Sequence, residues 1–316
     1  MILSNGEKVF ITGATGFVGS NLARRYLGHG AEVYINVRDT SDTWRIDDIL
    51  PEVNIVPVDI TDYEKLTSTL KKIRPNFILH TATYGGSADQ KISEKIIATN
   101  ITGTLNVLRC CRDINVDLVV NTGSSSEYGI KNLPMKESDL LEPLNEYGVS
   151  KAAATLYCQE YAVSEKIPVI TLRLFSPFGP YEQKSRLIPS VILAALQKIN
   201  PRISSRRFVR DFIFMDDVLD AYDTALNLKN PSGKIFNIGS GTQYSIGEVV
   251  DMIIRLLGNE VSYDVGAPQA WKNEPATWQA DIEKAKSELG WVPKYPLEPG
   301  LLATINWFKE HKELYE

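Results

Sequence analysis

The sequence predicts a doubly wound parallel α/β sheet followed by a smaller C-terminal α/β unit. Three observations carry that expectation. A glycine-rich turn joins the first apolar run to the first amphipathic one, and apolar, β-branched runs then alternate with amphipathic stretches through the first half. After about residue 174 the alternation gives way to segments rich in Pro and Gly. Alternation of this kind sets strands in parallel with helices on both faces.

Lys8-Val9-Phe10-Ile11-Thr12 reads as a short buried strand. It runs into Gly13-Ala14-Thr15-Gly16-Phe17-Val18-Gly19 and then a helix from 20 to about 29. Strand, glycine turn and helix in that order make a Rossmann-type site for a dinucleotide pyrophosphate at a helix N-terminus. Glycines let the backbone turn tightly and approach the phosphates. Gly13, Thr15, Gly16, Phe17, Val18 and Gly19 are the candidate contacts, at a G-x-x-G-x-x-G spacing one residue longer than the usual fingerprint. Further strands are expected at 32–37, 54–58, 77–80, 118–122 and 169–174, with helices at 63–73, 100–114 and 147–166.

Ser176-Pro177-Phe178-Gly179-Pro180 is a turn-rich break. A helix at 188–197, a basic loop and a strand at 234–238 follow, and then Pro268, Pro275, Gly290, Pro293, Pro296, Pro299 and Gly300 punctuate short helices. Residues 1–175 are therefore expected to bind a dinucleotide, with a returning segment at about 207–250. Residues 176–316 are expected mainly to bind substrate.

A chain of 316 residues buries enough surface, roughly 75% of that exposed when unfolded, to need no disulfide or metal. Its formal net charge of −5 argues against a nucleic-acid partner. Cys110, Cys111 and Cys158 are too few and wrongly spaced for a disulfide framework or zinc site. They fit buried thiols in a reducing compartment, so a cytoplasmic protein is expected. His29, His80 and His311 lack metal-ligand spacing, and no metal is expected. A strand beginning by Lys8 leaves no room for a signal peptide. No apolar run approaches the ~18 residues of a membrane span.

The second strand of such a sheet ends near the adenosine ribose, where an acidic side chain selects NAD. Here it ends Ile35-Asn36-Val37-Arg38-Asp39-Thr40-Ser41, with Val37 or Arg38 where the acid belongs. Arg38 beside small hydroxyls suits a 2′-phosphate and favours NADP over NAD. The alternative leaves Arg38 solvated and Asp39 on the ribose. Asp59 and Ile60 could hold the adenine by a carboxylate and a main-chain amide, or Asp59 or Thr61 could cap the next helix.

Tyr147-Gly148-Val149-Ser150-Lys151 places a phenol and an ammonium four residues apart, on one face of a helix. A phenol titrates near ~10, and a positive charge beside it favours the phenolate. The pair can then exchange a proton with a substrate hydroxyl. The strand at 118–122 ends in Gly123-Ser124-Ser125-Ser126-Glu127-Tyr128-Gly129, on the side of the sheet that faces the ligand crevice. A hydroxyl there can bond the oxygen that Tyr147 protonates or deprotonates.

With these segments the chain resembles the extended short-chain dehydrogenase/reductases that act on nucleotide sugars, the epimerase/dehydratase branch. Further matching pieces are Asn100-Ile101-Thr102-Gly103-Thr104, Leu172-Arg173-Leu174-Phe175 and Arg210-Asp211-Phe212-Ile213-Phe214-Met215-Asp216-Asp217-Val218. Phe236-Asn237-Ile238-Gly239 and Leu289-Gly290-Trp291-Val292-Pro293 complete them, in family order. The resemblance implies Tyr147 as acid/base, Lys151 on the nicotinamide ribose and Ser124 as the catalytic hydroxyl. It places Thr81, Ala82, Asn100 and Thr122 among the cofactor contacts. Thr83, Ser124, Ser125, Ser176, Arg210 and Trp271 become the substrate contacts, with Arg210 on the diphosphate.

Three departures bear on the reaction. Ser176 stands where the family usually has Asn, and Trp271-Lys272-Asn273 stands where a second diphosphate arginine is expected. The 4,6-dehydratases carry an acid two or three places before the tyrosine corresponding to Tyr128; here those places hold Ser126 and Ser125, with Glu127 adjacent. The resemblance therefore implies an epimerase, at C4 of a nucleotide sugar through a keto intermediate. An NADPH-dependent keto-sugar reductase, a 4,6-dehydratase and a non-catalytic dinucleotide sensor follow as alternatives. The helices at 100–114 and 147–166 resemble those of the family's intersubunit bundle, which implies a homodimer.

Overall fold

Near-continuous apolar runs dictate strands that are covered on both faces, and the computed structural model, which describes residues 6–87, 89–258, 261–266 and 275–316, has them. The strands are β1 (Lys8–Thr12), β2 (Glu32–Asn36), β3 (Asn54–Val56), β4 (Phe77–His80), β5 (Leu118–Ser124) and β6 (Val169–Leu174), then β7 (Ser176–Phe178), β8 (Arg202–Ile203), β9 (Val209–Phe214), β10 (Ile235–Ile238), β11 (Gln243–Ser245) and β12 (Asp264–Val265). Seven of them form one parallel sheet in the order β10-β6-β5-β4-β1-β2-β3. β3 stops two residues short of its expected end, at Pro57, which has no N–H to give a ladder.

The helices are α1 (Phe17–Gly28), α2 (Tyr63–Ile73), α3 (Ser93–Ile96), α4 (Gly103–Cys110), α5 (Glu146–Ser164), α6 (Leu187–Leu196), α7 (Met215–Ala225), α8 (Ile246–Leu257) and α9 (Leu297–Glu310). Leu22, Tyr26, Val218 and Tyr222 of α1 and α7 pack on Val9, Ile11, Val33 and Leu172 on one face of the sheet. Leu66, Leu70, Val107, Leu108 and Cys158 of α2, α4 and α5 cover Phe10, Ile78 and Val119 on the other. The helix expected over 100–114 is in two parts, a π-helical turn at Ile97–Thr102 and then α4. The helix expected at 20 begins earlier, at Phe17, inside the glycine turn.

β7 leaves the main sheet and joins β9 and β11 in a second, three-stranded one. Phe178, Phe212 and Phe214 from these strands pack with Ile192, Val250, Leu301 and Phe308 of α6, α8 and α9. Of the span 207–250, β10 alone pairs in the main sheet; β9 and β11 belong to the small one. Among the described residues no helix is long and apolar enough to cross a membrane. Nor do three or more His, Cys, Asp or Glu side chains among them gather where a metal ion could be held.

Candidate active site

The glycine turn fits a pyrophosphate by the space it keeps clear. Gly13 has φ +70°, and a Cβ there would lie 2.7 Å from the Ala82 main chain. A Cβ on Gly19 would lie 2.3 Å from the Gly13 carbonyl oxygen. Around Gly16 only that same oxygen comes near, at 3.2 Å, so the turn stays open above the start of α1. Gly16 is the N-cap and provides no side-chain cap; the first intrahelical bond runs from Ser20 N–H to Gly16 O. The amides of Phe17, Val18 and Gly19 precede it and have no acceptor within the helix. Asn36 Oδ1 takes the Gly13 N–H at 3.0 Å, and Thr81 Oγ1 donates to Thr12 O at 2.6 Å, which fixes the turn against β2 and β4.

At the end of β2, Arg38 is exposed, and its Nη1 lies 3.9 Å from Asp59 Oδ2. Asp59 does not cap α2: its Oδ1 accepts both Thr61 N–H and Thr61 Oγ1, and Asp62 caps the helix instead. Ile60 buries its side chain against Gly103, so only its main chain is left for a ligand.

Ser124 ends β5 and Tyr147 lies in the first turn of α5, a helix capped by Asn145 Oδ1 on Gly148 N–H. Ser124 and Thr83 both act on the Tyr147 hydroxyl, so three hydroxyls gather in one place. Gly85 and Gly86 flank the tyrosine ring. Burial raises the phenol above its ordinary value; the Ser124 hydroxyl, the charge of Arg186 and the Thr83 hydroxyl oppose the rise, and Glu127 adds to it. Lys151 is not among the largest influences on this phenol. The two side chains leave α5 toward different neighbours. Lys151 is buried, and burial lowers its pKa against the pull of Glu127 and Cys158. Its charge acts on His80, which burial and Lys151 together hold at about 3, neutral between Thr12 Oγ1 and Thr104 Oγ1.

Two expected cofactor contacts are otherwise engaged. Asn100 Oδ1 accepts Tyr84 N–H and Thr83 Oγ1, while its Nδ2 donates to Tyr84 O and Ser150 Oγ. All four of its bonds are spent on pinning the 83–84 loop to α5, which makes it a positioning residue. Thr122 turns its hydroxyl to Tyr222 in the core beneath α7. Neither side chain is free for a dinucleotide.

Glu127 is sealed. Its Oε1 accepts Ser124 N–H at 2.9 Å, and its Oε2 takes Arg173 Nε at 2.7 Å, with neither residue more than 2 % exposed. Arg173 also donates to Tyr128 Oη. This acid closes the β5 turn and does not face the cleft.

The remaining wall comes from distant segments. Arg210, on β9, is half-buried, with its guanidinium 5.2 Å from the Trp278 ring centre. Trp278 Nε1 donates to Ser125 Oγ at 3.1 Å, so Ser125 is buried under the indole. Ser176 is half-buried on β7, beside Phe212. Trp271 lies outside the described residues. Two functional candidates were missed, Trp278 and Arg186. Arg186 is exposed, donates to Gly86 O at 2.5 Å and acts on Tyr147 by its charge. It is the N-cap of α6, where a cation opposes the helix dipole. That local mismatch was readable in the sequence; Trp278 gave no such sign.

Residues 9–239 match the model of the NAD dependent epimerase/dehydratase family. The UDP-glucose 4-epimerase of Lactobacillus helveticus is 27% identical over 98% of this chain and 99% of its own. Among solved structures, the UDP-glucuronic acid 4-epimerase of Bacillus cereus, in complex with UDP-glucuronic acid and NAD, is 27% identical with a TM-score of 0.86, covering 96% of this chain and 99% of its own. The dTDP-glucose 4,6-dehydratase of Bacillus anthracis str. Ames, in complex with NAD, is 26% identical with a TM-score of 0.86, over 98% of both chains. Both solved relatives hold NAD, which lends no weight to the NADP expected from Arg38.

Proposed function

The chain belongs to the NAD dependent epimerase/dehydratase family, and on that premise we propose that it is a nucleotide-sugar epimerase acting at C4. The observation that carries the reading is the meeting of the Ser124, Thr83 and Tyr147 hydroxyls while Glu127 is locked to Arg173. Such a site can move a proton on a sugar oxygen, and among the described residues it has no acid positioned to expel water from the neighbouring carbons. A 4,6-dehydratase is disfavoured for that reason.

In the proposed reaction Tyr147 takes the proton of the C4 hydroxyl, and Ser124 holds the same oxygen as it becomes a ketone. A bound nicotinamide would supply reversible hydride transfer at C4. Gly13, Thr15, Gly16, Phe17, Val18 and Gly19 hold the pyrophosphate, with Thr81 and Ala82 beside them. Lys151 holds the nicotinamide ribose. Arg210 grips the substrate diphosphate, and Arg186 stands at the sugar end. Tyr147 then returns its proton after the sugar has turned over. We assign residues 1–175 and the return through α7 and β10 to the dinucleotide, and most of 176–316 to substrate.

We read the dinucleotide as NADP from Arg38, against the NAD of the relatives; titration with each in parallel decides. Val149, Leu156 and Val163 recur at seven-residue spacing on α5 and are all more than half exposed, with Tyr157 beside them. That stripe supports a homodimer. Three free, buried cysteines suit a cytoplasmic enzyme. The deciding experiment incubates the protein with a panel of nucleotide sugars, with and without added NAD(P)⁺ or NAD(P)H, and follows products by NMR. Interconversion of 4-epimers without net dinucleotide consumption is expected. Stoichiometric NADPH loss on a keto-sugar would make it a reductase.

A further inference from the structure

Arg45 is 8% exposed, and among the described residues no carboxylate is bonded to it. Its Nε donates to Tyr181 O at 2.8 Å, its Nη2 to Gln183 Oε1 at 2.6 Å and its Nη1 to Thr15 O at 3.4 Å. All three acceptors are neutral oxygens, and the carboxyls of Asp42 and Glu182 act on the guanidinium by charge without bonding to it. Thr15 belongs to the glycine turn, so this cation lies directly behind the place where a dianionic pyrophosphate would rest. Tyr181 and Gln183 belong to the loop between β7 and α6, on the sugar side.

From that loop the contacts continue. Arg186 N–H donates to Gln183 O at 2.9 Å, and the Arg186 side chain reaches Gly86 O and acts on Tyr147. The loop is braced from behind. Tyr315 Oη donates to Glu182 O at 2.9 Å, and Trp44, under the Arg45 guanidinium, meets the Tyr315 ring edge to face. A hydrogen-bonded path thus runs from the glycine turn to Gly86, beside the ring of Tyr147, and Arg45 is its junction. Coupling between two sites needs such an element, biased by both.

We propose that Arg45 is a positioning residue that transmits dinucleotide binding at the glycine turn to the 181–186 wall of the sugar pocket. The proposal deepens the functional reading above and rests on its claim that Gly13–Gly19 hold a dinucleotide. A pyrophosphate on the turn holds the guanidinium at Thr15, and through Tyr181 and Gln183 this steadies the contact of Arg186 with Gly86. By reciprocity, ordering of the wall by substrate tightens dinucleotide binding.

Hydrogen–deuterium exchange of the full chain, with and without saturating NAD⁺ or NADP⁺, tests this. In the parent protein, dinucleotide is expected to slow exchange at residues 13–20 and also at 181–190. Arg45→Met should keep the slowing at 13–20 and lose that at 181–190. Gln183→Leu, at an exposed position that leaves the fold intact, should weaken the second effect and spare the first; it decides the matter if Arg45→Met does not fold. A role in packing alone would raise exchange at 181–190 with and without dinucleotide and leave their difference unchanged, which overturns the proposal. So would slowing confined to 13–20 in the parent protein. No slowing at 13–20 with either dinucleotide would remove the functional reading itself, and the proposal with it.

Discussion

The reaction centre and the sugar-side wall are built in opposite ways. Ser124 and Tyr147 sit on β5 and α5, where backbone ladders and one helix cap fix them. The wall is tied by single side chains across long stretches of chain: Trp278 to Ser125 over 153 positions, Arg45 to Tyr181 over 136 and Arg186 to Gly86 over 100. A regular element needs only a local pattern, whereas such ties need distant segments to arrive together. Chemistry is thus set by the fold, and substrate choice by loops that vary without disturbing it.

The comparison breaks first if the chemistry is not at the strand end. Tyr147→Phe should lower kcat by ~10²–10⁴-fold while dinucleotide affinity and unfolding temperature stay near those of the parent. Product NMR and a binding titration check this. Full turnover would show that the three converging hydroxyls are not the reacting site.

Next in size is the pair that holds the centre rigid. Arg173→Met leaves Glu127 buried without its cation, and breaking a buried pair from one side costs ~3–5 kcal/mol. Glu127 also accepts the Ser124 N–H, so turnover should fall with stability. Denaturant unfolding would expose a loss below ~1 kcal/mol, the size of a solvated surface pair, and the centre would then owe its rigidity to the backbone alone.

The wall has a carboxyl of another kind. Glu182 is buried and its Oε2 has no hydrogen-bond partner; burial lifts its pKa from 4.5 to about 8, against the charges of Arg186 and Arg45 and a bond from Gly179 N–H. A carboxyl raised in the folded state binds more protons folded than unfolded. Stability is therefore lost as pH rises from about 4.5 to about 8 and is level on either side. The slope within that window should approach ~1.4 kcal/mol per pH unit. Glu182→Gln should flatten it and make the variant the more stable protein above pH 8, as thermal unfolding across pH would show. A parallel pH profile in parent and variant would place the charge of Glu182 elsewhere.

The same contrast explains what could be read in advance. The glycine spacing, the run-and-helix alternation and the Tyr147 to Lys151 interval are local patterns, and they led to the main sheet, the turn and the helix that carries Tyr147. The bonding of the Asn100 and Thr122 side chains within the protein was not legible, because a polar side chain does not announce its partners, which here lie at Tyr84, Ser150 and Tyr222. The influence of Arg186 on Tyr147 was hidden for the same reason, because that cation lies 39 positions on.

Trp278 gives the smallest effect and the finest test. Its indole donates one bond to Ser125, and Arg210 lies over its ring. Trp278→Phe keeps an aromatic face for Arg210 but removes the donor, leaving the Ser125 hydroxyl without it in a buried place. One such bond is worth about 1 kcal/mol, so unfolding should shift by that amount. The chemistry should stand, because Ser124 is held independently by Glu127 and by β6. KM for the nucleotide sugar is expected to rise by a few-fold with kcat nearly unchanged, the mark of uniform binding lost from a wall. An equal fall in kcat would mean that the indole sets the reacting hydroxyls as well as the pocket, and the two regions would no longer be separable.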